Sequence, residues 1–361
     1  MQTNRATFET TEEVRQQHKP LVSVVVPAYN EAPIVEKNLA KICEYLESLE
    51  DEYRWELIFV NDGSTDDTGE LAEAFASTRD NVHVLHHIVN FQLGQALRFA
   101  FHNCRGDYVV TMDLDLSYSP DHIQMLLTKI RETKAKIVIA SPYMKGGIIS
   151  NVPWLRRILS IWANRFLSLT AKGKITTLTG MVRAYDRRFL NSLNLKAMDY
   201  EINPEIIYKA QLLRARIIEI PAHLDWTFHK AEGKTRRSTM RILRGIMSCL
   251  FSGFIFRPFM FFIIPGFALI LISLYPITWA FIHTFVYYRN LHSSNIPFDY
   301  RFSDAVAAAF KQSPHAFIVG GISLMVALQL ISLGILALQS KRYFEELFHL
   351  STTIYRHNRK N

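Results

Sequence analysis

Two long stretches without a charged residue limit what this chain can become. Pro258 to Tyr288 contains no Asp, Glu, Lys or Arg in 31 positions, and Gln312 to Ser340 contains none in 29. Each exceeds the roughly 20 residues that carry a helix across a bilayer. At ~1.5 Å per residue the first would reach about 46 Å, beyond a hydrocarbon core of about 30 Å. It holds Pro265 and Pro276, so a kinked or tilted span is expected. The spans are predicted at about 258–288 and 315–338. Two buried helices of a soluble core would rarely be so long and so free of charge.

The flanking charge predicts orientation. Arg236, Arg237, Arg241, Arg244 and Arg257 precede the first span, and Lys341, Arg342, Arg356, Arg359 and Lys360 follow the second. The connecting loop holds only Arg289, Arg301 and Lys311. By the positive-inside rule both ends are cytoplasmic and the loop is outside. The polar tail 1–20 has no apolar signal segment, so the part ahead of the spans is expected to stay cytoplasmic. That places the protein in the plasma membrane of a prokaryote or the endoplasmic reticulum of a eukaryote. The net charge of +8 fits a membrane surface, and no nucleic-acid partner is expected. Cys43, Cys104 and Cys249 show neither disulfide nor metal spacing and read as reduced thiols.

Residues 21–220 alternate short apolar runs with helical patterns, which argues an α/β domain with a largely parallel sheet. Strands are predicted at Leu21–Val26, Leu57–Val60, Val82–Leu85, Asp107–Met112, Ile137–Ala140 and Ile217–Pro221. Helices are predicted at about Ala32–Leu49 and Leu97–Asn103, with another starting at Pro120. The fourth strand runs into Asp113-Leu114-Asp115. In an extended chain residues i and i+2 point the same way, so both carboxylates aim at one spot past the strand end. Like charges that close call for a cation between them or a retained proton. Hard oxygen ligands suit Mg²⁺ or Mn²⁺, which bridge carboxylates to a substrate's phosphates. Open parallel sheets bind ligands at these strand ends. Glu31 and Asp62 mark two further ends. No GxGxxG or GxxxxGK[ST] loop is present, so a diphosphate would lean on metal and side chains.

Three segments carry a family resemblance: Ser23-Val24-Val25-Val26-Pro27-Ala28-Tyr29-Asn30-Glu31, Val60-Asn61-Asp62-Gly63-Ser64-Thr65-Asp66, and Asp113-Leu114-Asp115-Leu116-Ser117. In order and spacing they resemble the GT-A fold family 2 glycosyltransferases, and more narrowly the polyprenyl-phosphate group that contains dolichol-phosphate mannosyl synthases. The resemblance runs from about Leu21 to Arg244. It implies a GT-A catalytic domain over 21–235; the residue pattern beyond it predicts basic amphipathic juxtamembrane helices over 236–257, two transmembrane helices within 258–340 and a basic cytoplasmic tail over 341–361.

The resemblance also implies roles. Pro27, Tyr29, Asn30 and Glu31 would line the nucleotide pocket, with Asp62 on the base or ribose. Asn90 and Gly94 fit the family's Asn-to-Gly segment, although Phe91-Gln92-Leu93 departs from its usual glycine-bearing form. Asp113 would sit near the sugar and ribose, and Asp115 would ligate the metal. Ser117 stands where many relatives have Gln, as the third metal contact. Pro142 stands where relatives carry an arginine. Arg156, Arg157 and Ser160 match a segment that binds lipid phosphate, and Arg183 in Gly180-Met181-Val182-Arg183 is a further phosphate ligand. For Arg156 and Arg157 a membrane-facing helix is an equal reading. The acids of Asp199–Glu205 either approach sugar hydroxyls or serve the helix dipole. Lys234 and Arg236 lie in a basic loop that either closes over the diphosphate or meets anionic headgroups.

The expected activity is inverting transfer of a hexose from GDP-mannose or a UDP-hexose to a polyprenyl or dolichyl phosphate. A different lipid acceptor is not excluded. A processive polysaccharide synthase would carry a Gln-x-x-Arg-Trp motif and more spans, and neither is found. The reading from another class is a non-catalytic nucleotide-sugar-binding membrane protein, in which Gly320, Gly321 and Gly334 would let helices of a homo-oligomer approach closely.

Overall fold

The computed structural model describes residues 19–152, 175–226, 258–291 and 297–358. These fall into an α/β unit and a helical unit, taken in turn.

Strand β1 (Leu21–Ala28) is rich in valine and buried from Val22 to Val26, as a strand covered on both faces requires. It pairs in parallel with β2 (Arg54–Asn61) and β4 (Tyr108–Thr111), and β2 pairs with β3 (Val82–His86). Beyond β4 lies β7 (Arg183–Asp186), antiparallel to both β4 and β5 (Ile137–Ser141). Strand β8 (Ile217–Pro221) closes the order β3-β2-β1-β4-β7-β5-β8. The sheet is thus parallel except for β7, which the sequence reading assigned to no strand. A short parallel pair, β6 (Ile148–Ser150) with β9 (His223–Asp225), stands apart.

Alternating strand side chains feed two core layers. Val24, Val26, Leu57, Phe59 and Val110 pack with Leu39, Ile42 and Leu46 of α1 (Val35–Glu47) and with Ile123, Leu126 and Ile130 of α4 (Asp121–Thr133). Val25, Ile58 and Val109 are equally buried, and α3 (Leu93–Asn103) packs on β1 and β2. Helices α2 (Thr68–Ala76), α5 (Arg187–Asn191) and α6 (Ile202–Leu212) complete the unit. Helix α3 starts at Leu93, earlier than the predicted Leu97, because the turn Asn90–Gln92 ends there: Asn90 Oδ1 accepts the Gln92 N–H at 3.1 Å.

In the helical unit, α7 (Pro258–Asn290) continues through Pro265 and Pro276. Helix α8 (Phe298–Gln312) packs on it, with the Arg301 guanidinium 4.8 Å from the centre of the Tyr288 ring and Tyr287 Oη donating to Gln312 Oε1 at 2.9 Å. Helix α9 (Pro314–Asn358) runs well past the predicted end of the second span. Two segments, Phe259–Asn290 and Pro314–Ile354, are long and apolar enough to cross a membrane, and most of their side chains are not buried within the protein. A Cβ on Gly334 would come within 2.4 Å of Ile263, and one on Gly320 within 3.1 Å of Ile277. Both glycines therefore serve α7–α9 packing within this chain, while Gly321 faces open space.

Candidate active site

The carboxyl ends of β1, β2 and β4 lie side by side in the sheet, and the loops after β1 and β2 are joined by hydrogen bonds. Past β1, Asn30 takes a left-handed φ of 56°, which Asn tolerates because its short amide bonds locally. Its N–H donates to Ser64 Oγ at 3.0 Å, and its Oδ1 accepts the Thr65 N–H at 2.8 Å. The Glu31 N–H donates to Thr68 Oγ1 at 2.8 Å and the Ala32 N–H to Asp66 Oδ2 at 3.2 Å. Burial pushes the Asp66 carboxyl up, but bonds from the Thr68 hydroxyl and from backbone N–H groups prevail and hold it below its ordinary value. Pro27 and Glu31 are half-buried beside this zip, and Tyr29 is exposed. Asn30, expected to line the nucleotide pocket, thus has its amide oxygen engaged by the Ser64–Thr65 loop.

Asp62, expected to touch base or ribose, is buried. Its Oδ1 accepts the Phe91 N–H at 3.1 Å and lies 2.7 Å from His87 Nδ1. It fixes the loop between β3 and α3. Gly63, at φ 66°, lets the two loops touch: a Cβ there would lie 2.2 Å from the Val89 carbonyl carbon. His87 stacks on Phe99 with centroids 5.0 Å apart and meets the Phe91 ring edge-on at 5.2 Å. Asn90 is exposed at the loop tip. Gly94 has a packing reason to lack a side chain, since a Cβ would lie 2.5 Å from the Met198 carbonyl carbon.

At the end of β4 the turn Asp113–Ser117 is held from three sides. Asn38 Nδ2 of α1 donates to the Leu114 carbonyl at 2.9 Å, the Asp225 N–H of β9 to the Ser117 carbonyl at 2.8 Å, and the Ser117 N–H to Asp115 Oδ1 at 2.9 Å. Leu116 sits at φ 51°, a left-handed conformation that costs a side-chain-bearing residue about 1–2 kcal/mol. Strain of that kind persists where surrounding contacts over-determine it, and it collects at functional sites. Burial, then the charge of Asp115, then that of Glu31 push the Asp113 carboxyl well above its ordinary value. The charges of Asp115 and of Glu31, from the end of β1, thus both bear on Asp113.

The chemistry of the donors at this turn is the test of fit for a divalent ion. Among the described residues no group of three or more His, Cys, Asp or Glu side chains is gathered closely enough to hold a metal. Two carboxylates and the buried Ser117 form a hard-oxygen set, which suits Mg²⁺ or Mn²⁺ that keeps waters and borrows ligands from a diphosphate. The residues fit the ion in that role.

Arg183 is placed otherwise than the sequence predicts. It is fully buried, with Nε donating to the Gly180 carbonyl at 2.7 Å, Nη1 to Asn203 at 3.1 Å and Nη2 to Leu178 at 2.7 Å. A buried guanidinium spent on three backbone carbonyls, two from the loop before β7 and one from α6, is a strut, not a phosphate ligand. Glu205 is engaged as well: its carboxylate accepts the Lys196 and Ala197 N–H groups and pairs with Lys209 at 2.6 Å. Arg156, Arg157, Ser160, Lys234, Arg236 and the predicted juxtamembrane helices lie outside the described residues.

Two residues near the acids escaped the sequence reading. Tyr118 is buried, and burial followed by the Asp113 charge pushes its phenol up. His122, also buried, meets the Tyr118 ring edge-on at 5.7 Å. Its Nε2 accepts the His223 N–H at 3.2 Å, which leaves Nδ1 to donate to the Ser119 carbonyl at 2.9 Å. The aromatic character of Tyr118 was the signal available; the partner of His122 is 101 residues away and left none.

Comparison with known proteins places the chain in a family. Residues 23–193 match the family described as Glycosyl transferase family 2. Over 208 residues the chain is 31% identical to polyprenol monophosphomannose synthase of Mycolicibacterium smegmatis, covering 55% of this chain and 75% of that protein. It is 28% identical over 229 residues to glycosyltransferase AglD of Haloferax volcanii, spanning 63% of this chain but 36% of AglD. Among solved structures, glucosyl-3-phosphoglycerate synthase of Mycobacterium tuberculosis superposes with a TM-score of 0.48 at 21% identity, covering 66% of this chain and 80% of the other. The chain belongs to glycosyl transferase family 2.

Proposed function

We propose that the chain transfers a hexose, with inversion, from a nucleotide diphosphate sugar to a polyprenyl or dolichyl phosphate at the cytoplasmic face of a membrane. The observation that carries this reading is the mutual pressure of Asp113, Asp115 and Glu31 at the strand ends. Asp113, Asp115 and Ser117 would hold Mg²⁺ or Mn²⁺, and when bound the ion supplies Lewis-acid stabilisation to the departing diphosphate. Pro27, Tyr29 and Glu31 shape the nucleotide side, and Asp62 keeps the 87–91 loop in place beside it. The acceptor needs little help with its proton: a phosphate monoester has a second pKa near ~6 and is largely ionised at neutral pH. The protein's task is to hold that oxygen in line with the anomeric carbon, opposite the leaving diphosphate. In this reading Arg156, Arg157, Ser160, Lys234 and Arg236 meet the acceptor phosphate or the diphosphate.

The Mycolicibacterium relative's name specifies a polyprenol monophosphate and mannose, which supports the lipid acceptor and makes GDP-mannose the first donor to try, before UDP-hexoses. Two helices able to span a bilayer support an acceptor held in one, and the basic residues flanking the spans favour both termini on the cytoplasmic side. The test is transfer of radiolabelled sugar to a prenyl phosphate in membranes, with Mn²⁺ or with chelator. Full activity of Asp115→Ala under chelation rejects the mechanism.

A further inference from the structure

Two neighbouring loops expose an apolar surface at the carboxyl end of the sheet that the chemistry above does not use. Ile88 is 97% exposed, Val89 54% and Phe91 42%; from the second loop Met198 is 47% and Tyr200 62% exposed. The loops are bound together. The Gln95 N–H donates to the Met198 carbonyl at 3.1 Å, Arg98 Nη1 to the Lys196 carbonyl at 3.2 Å, and Gly94 brings α3 against 197–199. The tip is rigid too. Asp62 grips both ends of the 87–91 turn, Gly63 abuts Val89, and Phe91 rests edge-on against His87.

We propose that Ile88, Val89, Phe91, Met198 and Tyr200 dock on the bilayer, seating the mouth of the site on the surface that holds its acceptor. This rests on the lipid-acceptor reading above. Apolar tips fixed in water by a polar hub gain nothing from exposure, and such patches mark interaction sites. The occupant is a lipid surface for three reasons. The composition is interfacial, with aliphatic and aromatic tips flanked by the cations Lys196 and Arg98, which match anionic headgroups. The same chain carries two helices able to span a membrane, so a bilayer is always within reach of the domain. An acceptor phosphate in that bilayer must meet the carboxyl end of the sheet, where these loops project.

The test uses the full chain in nanodiscs of phosphatidylcholine and phosphatidylglycerol. Cys43 and Cys104 are buried, so Ile88→Cys in a Cys249→Ser background takes a spin label at one place. Collisions with oxygen, which concentrates among acyl chains, are compared with collisions with an aqueous nickel chelate. Oxygen is expected to dominate at position 88. The chelate is expected to dominate for Ser77→Cys, which is exposed at the far end of α2. In a second arm, Ile88→Asp, at the most exposed of these tips, is expected to raise KM for the long-chain lipid about tenfold, from lost apolar burial. KM for the nucleotide sugar, and turnover on a short water-soluble prenyl phosphate, should not move. A label that stays aqueous overturns the proposal. So does one that leaves water only when nucleotide sugar is added, which would make the loop a donor cover. Oxygen-dominated collisions in a chain that transfers to no prenyl phosphate would uphold the docking surface and remove the function proposed above.

Discussion

Arg183→Met separates a strut from a phosphate ligand. The guanidinium makes three hydrogen bonds to the carbonyls of Gly180, Asn203 and Leu178 while fully buried. Bonds from a charged donor contribute roughly 1.5–3 kcal/mol each, so the gross loss is about 5–9 kcal/mol. Against it stands the several kcal/mol that burying an unpaired cation costs, which Met removes. Three buried carbonyls left unpartnered restore part of that penalty, and the balance is a loss of about 4 kcal/mol. For a domain of this size each kcal/mol lowers the midpoint by roughly 2–4 °C, so Tm should fall by about 10 °C. The assay is thermal unfolding of the detergent-solubilised chain by intrinsic fluorescence. Nucleotide-sugar binding is measured by calorimetry well below the transition. Arg183→Lys keeps the charge but not the fork, and should be nearly as unstable. An unchanged Tm in both variants, with a raised KM for acceptor or donor in Met and near-normal function in Lys, would refute the strut.

Gly63→Ala places a Cβ 2.2 Å from the Val89 carbonyl carbon at φ 66°; a lower Tm and a raised nucleotide-sugar KM are expected, checked by thermal scan and initial rates. Asp115→Asn should cut kcat/KM by roughly a hundredfold or more, as loss of a key electrostatic group does. It should leave Tm unchanged or higher, because a like-charge contact with Asp113 is relieved. Burial pushes the Glu56 carboxyl up, but bonds from Ser23 Oγ at 2.6 Å and from the Arg105 N–H and guanidinium outweigh it and hold it below its ordinary value. Its stabilising effect is therefore complete above the unfolded carboxyl value of about 4.3 and fades as pH falls through the folded one. Glu56→Gln should flatten that part of an acid-unfolding curve.

The strands easiest to read were those whose side chains meet apolar neighbours on both faces, because Val and Ile runs such as Leu21–Val26 admit few other environments. Strand β7 was not legible: four residues, Arg-Ala-Tyr-Asp, carry charge at both ends, and their place between β4 and β5 depends on long-range pairing. Helix α9 outran its prediction because the reading stopped where charge resumed at Lys341, whereas Lys341 and Glu345, one turn apart, are as compatible with helix as the apolar run before them. At the candidate site, acids at strand ends were visible from local pattern alone. What each does with its oxygens was not. Asp62 depends on His87, 25 residues on, and Arg183 in part on the Asn203 carbonyl, 20 residues on in α6.

The position of β7 has a consequence for how the domain is made. The strand that separates β4 from β5 is synthesised after both, so a nascent chain ending before Arg183 holds the β3-β2-β1-β4 sheet with a bare margin at β4 and a lone β5. Unpaired margins recruit other strands and promote aggregation. A truncated soluble version of the catalytic domain must therefore extend past Pro221, since any shorter cut removes the keystone or β8, the strand that covers the outer margin of β5.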